Sequence, residues 1–309
     1  MKCIFGVDVG GTQIKVGKFI EGELVLKYTI DTDSSNNGEK IFDEICKSIK
    51  DALGDDELIG IGIGVPGPVL DDKVLKAHAL GWNVLDVKKK INCCFPNALV
   101  KVLNDANAAA FGEVLGGAAK GYNNVIMLTI GTGLGGGTII NGRVYEGSNG
   151  SSGEIGHICL ERNGRSCNCG LHGCLEQYVS ARGIVKTAIE MRENKETLLN
   201  KRGLTCKEVF EFAKTGDVVA SEVVEEFSEQ LAIGCADICN VFNPELILLG
   251  GGVSEAGNFL LEKVKNKFSD FAFHTMKNTE FKLASLGNDA GIYGNYYAVR
   301  CLLDEKNYI

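Results

Sequence analysis

No stretch of the chain approaches the roughly 18 uninterrupted apolar residues of a membrane-spanning helix. The opening run, MKCIFGVDVGG, holds too little apolar sequence for a secretory signal. No membrane association is therefore expected, and a cytoplasmic location is. Basic clustering is missing too: 32 Lys and Arg stand against 40 Asp and Glu, for a formal net charge of −8, and the cations form no stripe. A nucleic-acid surface is not suggested, and any anionic ligand must be held locally. Pro- or Ser-rich linkers and low-complexity tracts are absent, and the one strongly polar run, DTDSSNNGEK at 31–40, reads as a solvated loop. GxxxxGK[ST] does not occur, and the GxGxxG spacing in IGTGLGGG runs into a second β-like run rather than opening a helix, which disfavours both of those nucleotide-binding folds.

What is present fits a globular protein. The chain has 309 residues, 45 % hydrophobic and 23 % charged, enough for two domains with sizeable cores. Twelve cysteines would suggest a disulfide scaffold only in a small secreted chain. Those outside the segment SCNCGLHGCLE lie mostly in apolar runs such as LAIGCADICNVF and are read as reduced core thiols.

Glycine is abundant, 40 of 309 residues, and it is placed where apolar β-like runs stop. The runs are IFGVDVGGTQIKVGKF (4–19), LIGIGIGVPGPV (58–69), NVIMLTIGTGLGGGTII (124–140) and ELILLGGGVSE (245–255). The first and third share one plan of strand, Gly-rich turn with a threonine, and second strand, which suggests an internal duplication. Helical periodicity follows in 38–53, 105–118, 218–242 and 257–271. Strands followed by helices, twice over, give an α/β architecture in two similar halves. The expected division is a smaller lobe of 1–117 plus a final helix, 290–309, that crosses back, and a larger lobe of 118–289, with a cleft between them.

Three glycine loops are candidates for phosphate handling. In DVGGT, Asp8 to Thr12, successive N–H groups can form an anion site while Asp8 holds a metal ion through water, although a plain hairpin explains the loop equally well. IGTGLGGG (130–137) repeats the device with Thr132 in its turn, and LGGGV (249–253) precedes a helix whose N-terminus favours anions. Together they suggest a bipartite nucleotide clamp.

In VKVLNDANAAAFGE, Asn104 and Asp105 fall where a strand gives way to an alanine-rich helix. Asp105 reads either as a simple N-cap or as the carboxylate that takes a proton from an attacking hydroxyl. Further on, GEIGHICLERNGRSCNCGLHGCLE has the spacing His-x9-Cys-x-Cys-x4-Cys, from His157 through Cys167, Cys169 and Cys174. One nitrogen and three sulfurs suit a tetrahedral structural zinc site, with a disulfide or plain thiols as alternatives and His172 able to replace His157 on spacing. Glu154 and Glu176 bracket the cluster as surface acids or, with Asn104 and Asp105, as acceptors for the hydroxyls of a sugar.

Taken in order, DVGGT, GIGVPGPV, NDANAAAFGE, TIGTGLGGG, GEIGH, CNCGLHGCLE, NPELILLGGGV and GNDAGIYG resemble the ROK family (repressors, open reading frames and kinases) of the actin-like ATPase superfamily, over nearly the whole chain. The resemblance is strongest to bacterial glucokinases. It implies two actin-like, ribonuclease H-like lobes, each a mixed sheet flanked by helices, closing over ATP and a hexose. It implies Asp105 as base for the 6-hydroxyl, with Asn104, Glu154, His157, Glu176 and the backbone around Gly67 at the sugar. ATP and Mg²⁺ would lie against Asp8, Gly10, Gly11, Thr12, Thr132, Gly133, Gly251 and Gly252. Zinc would sit on His157, Cys167, Cys169 and Cys174, leaving the second His157 nitrogen for the sugar. A homodimer or higher homo-oligomer is implied as well. One departure affects hexose identity: HALGW puts Ala79 where many relatives carry the asparagine of a segment like NLGW. A kinase for another hexose, such as N-acetylmannosamine or fructose, is the nearest alternative reading, and polyphosphate is an alternative donor. A sugar-sensing repressor is a further one, disfavoured because the first strand is expected near Cys3, leaving no room for a DNA-binding module ahead of it.

Overall fold

A computed structural model describes residues 1–77 and 80–307, so Ala79 and its neighbour His78 lie outside the described residues. In chain order the first half forms β1 (Lys2–Val9), β2 (Gln13–Ile20), β3 (Glu23–Asp31), α1 (Ile41–Leu53), β4 (Glu57–Val65), β5 (Val69–Leu70), β6 (Lys73–Val74), β7 (Leu85–Asp86), α2 (Val87–Cys94), β8 (Leu99–Asn104) and α3 (Asp105–Gly116). There follow β9 (Val125–Ile130), β10 (Leu134–Ile140), β11 (Arg143–Val144), α4 (Glu176–Val179), α5 (Ala181–Met191), α6 (Cys206–Lys214), α7 (Val218–Phe242), β12 (Leu246–Gly250), α8 (Asn258–Phe271), β13 (Glu280–Leu283) and α9 (Ala290–Asn307).

The sheets carry the duplication expected from the glycine turns. Strand order is β3-β2-β1-β4-β8 in the first and β11-β10-β9-β12-β13 in the second, the same plan of hairpin and crossovers used twice. In the first sheet β1 pairs antiparallel with β2, and β4 and β8 follow in parallel. In the second, β12 lies parallel to both β9 and β13. The chain separates into two compact units, Met1–Asn123 with Gly137–Gly153 and Ser285–Ile309, and Asn124–Gly136 with Glu154–Ala284.

In the first unit, alternating side chains of β1 and β4 (Phe5, Val7, Ile61, Ile63) pack with Ile41, Ile45 and Ile49 of α1 into one core. The opposite sheet face is stripped to glycine so that α9 can come close. A Cβ on Gly62 would sit 1.9 Å from the carbonyl oxygen of Asn295, and one on Gly294 would sit 1.7 Å from that of Ala108 in α3. Backbones that approach this closely leave space for nothing larger than hydrogen at those positions, and the helix carrying Asp105 is thereby seated against α9.

The second unit is organised around α7, whose buried Val223, Phe227, Leu231, Cys235 and Ile238 recur at helical spacing. Its N-cap is Asp217, which accepts from Ala220 N at 2.8 Å, and Asn243 closes it in the left-handed conformation. The sequence-expected helix 218–242 has these bounds. By contrast LGGGV does not lead directly into a helix: a 3-10 turn over Gly252–Ala256 intervenes before α8.

No disulfide forms among the described cysteines. Cys3, Cys46, Cys235 and Cys239 are buried as expected, but Cys93, Cys159 and Cys301 are exposed, which corrects the reading of every cysteine outside the cluster as a core thiol. Cys93 and Cys301 fall on outward faces of α2 and α9, and Cys159 lies in an irregular loop, so local apolar company in the sequence overstated their burial. Among the described residues no helix is long and apolar enough to cross a membrane.

Candidate active site

At the end of β8 the chain turns sharply into α3. Asn104 is the helix N-cap, its Oδ1 accepting from the N–H groups of Ala106 and Asn107, each at 3.0 Å. This corrects the reading of Asp105 as a cap, because Asp105 is the first helical residue and the capping role is already filled. Asp105 Oδ1 accepts from Ala106 N at 2.9 Å and from Asn104 Nδ2 at 2.9 Å. The same Asn104 amide donates to Gly67 O at 3.2 Å. Gly67, at φ 90, has Lys76 O 2.1 Å from where a Cβ would stand, so only glycine brings its carbonyl to that place. Gly67, Asn104 and Asp105 therefore form one rigid group, with the carboxylate held at a helix start.

In the same unit the β1–β2 turn holds Gly10, Gly11 and Thr12, closed by Gly10 N to Gln13 O at 3.0 Å and braced by Thr32 Oγ1 on Gly10 O at 2.8 Å. Asp8 sits opposite Lys15 in the hairpin register, its Oδ2 3.4 Å from Lys15 Nζ. Lys15 also donates to Asn288 O at 3.1 Å. Burial pushes the Asp8 carboxyl above its usual range, with the Lys15 charge opposing.

The second unit contains the cysteine cluster. His157, Cys167, Cys169 and Cys174 present ligand atoms that all lie within 4.8 Å of one another. Cys167 Sγ is 3.8 Å from His157 Nδ1, and Cys169 Sγ is 3.6 Å from Cys174 Sγ. Zinc–sulfur bonds of about 2.3 Å put the edge of a tetrahedron near 3.8 Å, so the donors fit zinc. The loop is shaped by Gly173, at φ 72, where a Cβ would meet Glu161 O at 1.6 Å. Burial, and after it the neighbouring Cys169 and Cys167 thiols, pushes the Cys174 thiol up to about 12. Thiols this crowded favour a cation that takes them as thiolates. His172 is exposed, in a bridge opposite Ser166, and is not part of the cluster.

His157 points its other nitrogen, Nε2, at Glu154 Oε2, 3.8 Å away. Glu176 follows the last cysteine and opens α4, and its Oε2 accepts from Leu134 N at 3.0 Å. Gly133 lies beneath it, with Oε2 2.6 Å from where a Cβ would be. Glu176 is thus joined to the second glycine turn as well as to the cluster.

Thr132 and Gly252 line one cavity of about 600 Å³ with Gly131, Cys206, Phe210, Lys214 and Glu255. Gly251, at φ 83, presses against Ile130, whose carbonyl oxygen would be 2.5 Å from a Cβ, and so joins the third loop to the end of β9. The wall from α6 was missed in the sequence. Its signal was the capping box Thr205-x-x-Glu208, in which Thr205 N reaches Glu208 Oε2 at 2.9 Å and Glu208 N reaches Thr205 Oγ1 at 3.3 Å.

Two sheets of identical order, each begun by a hairpin with a glycine turn, define an actin-like α/β protein. Within that class the chain belongs to the ROK family, whose profile matches residues 4–301. It is 40 % identical over 311 residues to the glucokinase of Halalkalibacterium halodurans, covering 96 % of this chain and 94 % of that protein. The crystal structure of a ROK family glucokinase from Streptomyces griseus, in complex with glucose and AMPPNP, is similar at a TM-score of 0.81 and 33 % identity, covering 97 % of this chain and 99 % of that one. The xylose repressor of Bacillus subtilis is 34 % identical over 239 residues, which are 77 % of this chain and 60 % of the repressor.

Proposed function

We propose that the protein is an ATP-dependent hexose kinase that phosphorylates the 6-hydroxyl, with glucose as its first substrate. The observation that carries this reading is the Asp105 carboxylate, oriented by Asn104 and Ala106 at the junction of β8 and α3. Similarity to glucokinases along nearly the full length supports the same substrate.

In this reading Asp105 accepts the O6 proton as the oxygen attacks the γ-phosphorus, and the bond to the β,γ-bridging oxygen breaks to release ADP. Asn104, Glu154, His157, Glu176 and the backbone at Gly67 receive the sugar hydroxyls. Asp8, Gly10, Gly11, Thr12, Thr132, Gly133, Gly251 and Gly252 would hold the magnesium nucleotide, the glycine turns offering N–H groups to phosphate oxygens. His157, Cys167, Cys169 and Cys174 would hold zinc, which supplies structural order to a loop with little core of its own. His157 would serve the cluster with Nδ1, which lies 3.8 Å from Cys167 Sγ, and the sugar with Nε2, which lies 3.8 Å from Glu154 Oε2. Closure over the substrates would exclude water, a competing phosphoryl acceptor. A cytoplasmic homodimer or higher homo-oligomer completes the proposal.

A second reading, a sugar-responsive regulator, is favoured by the match to the xylose repressor. An ADP-release assay across glucose, fructose, mannose and N-acetylmannosamine, with ATP and polyphosphate compared as donors and metal analysis of the same sample, separates the two. Turnover of glucose with ATP is expected; tight hexose binding without turnover would establish the regulator instead.

A further inference from the structure

We propose that Gln177 is a positioning residue that couples the cysteine cluster to the sugar-binding carboxylate Glu176, a role that rests on the kinase reading above. The Gln177 amide nitrogen lies 3.5 Å from Cys167 Sγ and 3.4 Å from Glu176 Oε1, and it donates to both. A carboxamide carries two N–H donors on one nitrogen, so the two bonds are made at once and without added charge. Both acceptors are anionic once the cluster is metallated, and a neutral double donor between them satisfies each and screens one from the other.

The residue is itself fixed. Its main-chain carbonyl accepts from Arg165 Nη1 at 2.8 Å, and the guanidinium of Arg165 lies 4.8 Å from the Tyr178 ring centroid while its Nη2 donates to Thr187 at 2.9 Å. Beyond Glu176 the connection continues, because Oε2 of that carboxylate accepts from Leu134 N at 3.0 Å in the glycine turn that carries Thr132. Cys167, Gln177, Glu176 and Leu134 thus form a continuous hydrogen-bonded path within one unit. Hydrogen bonds to ligand atoms hold a metal site in shape and tune its affinity. Here the same amide sets the rotamer of the carboxylate that receives the sugar, so metal retention and sugar affinity vary together.

The test compares the zinc-loaded parent with Gln177→Met, which keeps the length and removes both donors, and Gln177→Glu, which keeps the shape and sets a third anion between two others. Three quantities are read: zinc release to a chromogenic chelator, the glucose dissociation constant by calorimetry, and KM against kcat. Gln177→Met is expected to release zinc roughly tenfold faster, the usual scale for a lost outer hydrogen bond to a metal ligand. It should also weaken glucose binding by roughly fivefold to tenfold, the scale of one ordinary hydrogen bond, with the loss in KM and kcat nearly unchanged. Gln177→Glu should exceed it in both. Parent-like zinc release and glucose affinity in the two variants would overturn the coupling, as would a change in only one of the two quantities or a loss of thermal stability alone. If Gln177→Glu does not fold, Gln177→Met decides by the same criteria. A parent that binds glucose but does not phosphorylate it defeats the kinase reading by itself, and the two binding measurements still decide the coupling.

Discussion

Glu113 and Ser285 are joined by two hydrogen bonds, Ser285 N to Oε1 at 2.8 Å and Ser285 Oγ to Oε2 at 3.2 Å. The Glu113 side chain is wholly buried, and it also accepts from Leu286 N at 2.7 Å and Ala118 N at 2.8 Å. One carboxylate therefore pins the exit of α3 and the approach to α9, the two helices whose glycine and alanine faces interlock. Four donors compensate its burial in place of water.

Removing that acceptor should be among the most destabilising single changes in the first unit. Glu113→Ala leaves three backbone N–H groups without their partner, and each buried orphan costs about 1–3 kcal/mol. An unfolding free energy lower by about 3 kcal/mol or more is expected from urea titration. Glu113→Gln should lose less, since its carbonyl oxygen still accepts from two of the donors. Equal stability of Glu113→Ala and the parent would show that the loops find other partners.

The division of labour between Asn104 and Asp105 gives opposite expectations for neighbouring residues. Because Asn104 supplies the cap, Asp105→Ala should change stability by no more than about 0.5 kcal/mol and leave glucose and ATP binding largely in place. Turnover should fall by at least about a hundredfold, the range of a lost general base. Asn104→Ala should cost about 1 kcal/mol in stability as a lost cap and also weaken sugar binding. Single-turnover kinetics beside thermal melts distinguishes the two; near-normal turnover in Asp105→Ala would remove that carboxylate from the chemistry.

The parts of this protein most visible in its sequence are those set by local physics. Val218–Phe242 shows helical period along its whole length, and the β1–β2 and β9–β10 hairpins are marked by glycine turns between apolar runs, so their bounds fall close to expectation. The strand β3 was missed because its residues, ELVLKYTID, lie at a sheet edge and are largely exposed, which blurs the contrast between faces. Choosing Asn104 over Asp105 as cap, or His157 over His172 as the fourth member of the cluster, depends on tertiary geometry: both members of each pair have suitable chemistry and spacing. The contact of Glu176 with Leu134 joins residues 42 apart in sequence, and no periodicity announces such a pair.

The metal reading makes its own demand. Cys169 is exposed and is one of four donors in the cluster, so Cys169→Ser keeps the shape of the loop while replacing a soft ligand with a weak one. Metal content measured by atomic emission should fall together with glucose affinity, because Glu176 follows directly from the clipped loop. Chelation of the parent should reproduce the effect, and added zinc should reverse it. Full activity in a metal-free Cys169→Ser protein would sink the structural role.

Asp8 links stability to pH in the direction opposite to a salt-bridged carboxylate. Its side chain is 18 % exposed, and burial raises its carboxyl above the ordinary 3.8 even though Lys15 Nζ, 3.4 Å away, pulls the other way. The folded chain holds this proton more tightly than the unfolded chain does. The group's contribution to stability is accordingly complete below the unfolded value and is lost as pH rises through the raised folded value. At about pH 7 an ionised Asp8 therefore opposes folding, as is common for a carboxylate kept charged for binding. Asp8→Asn should melt at a higher temperature than the parent at about pH 7, the gain should shrink as the pH is lowered toward about 4, and turnover should collapse. Thermal melts of both proteins across that range check the sign. An Asp8→Asn protein that is less stable than the parent at neutral pH would mean that pairing with Lys15 outweighs burial, and that Asp8 belongs to the framework of the hairpin.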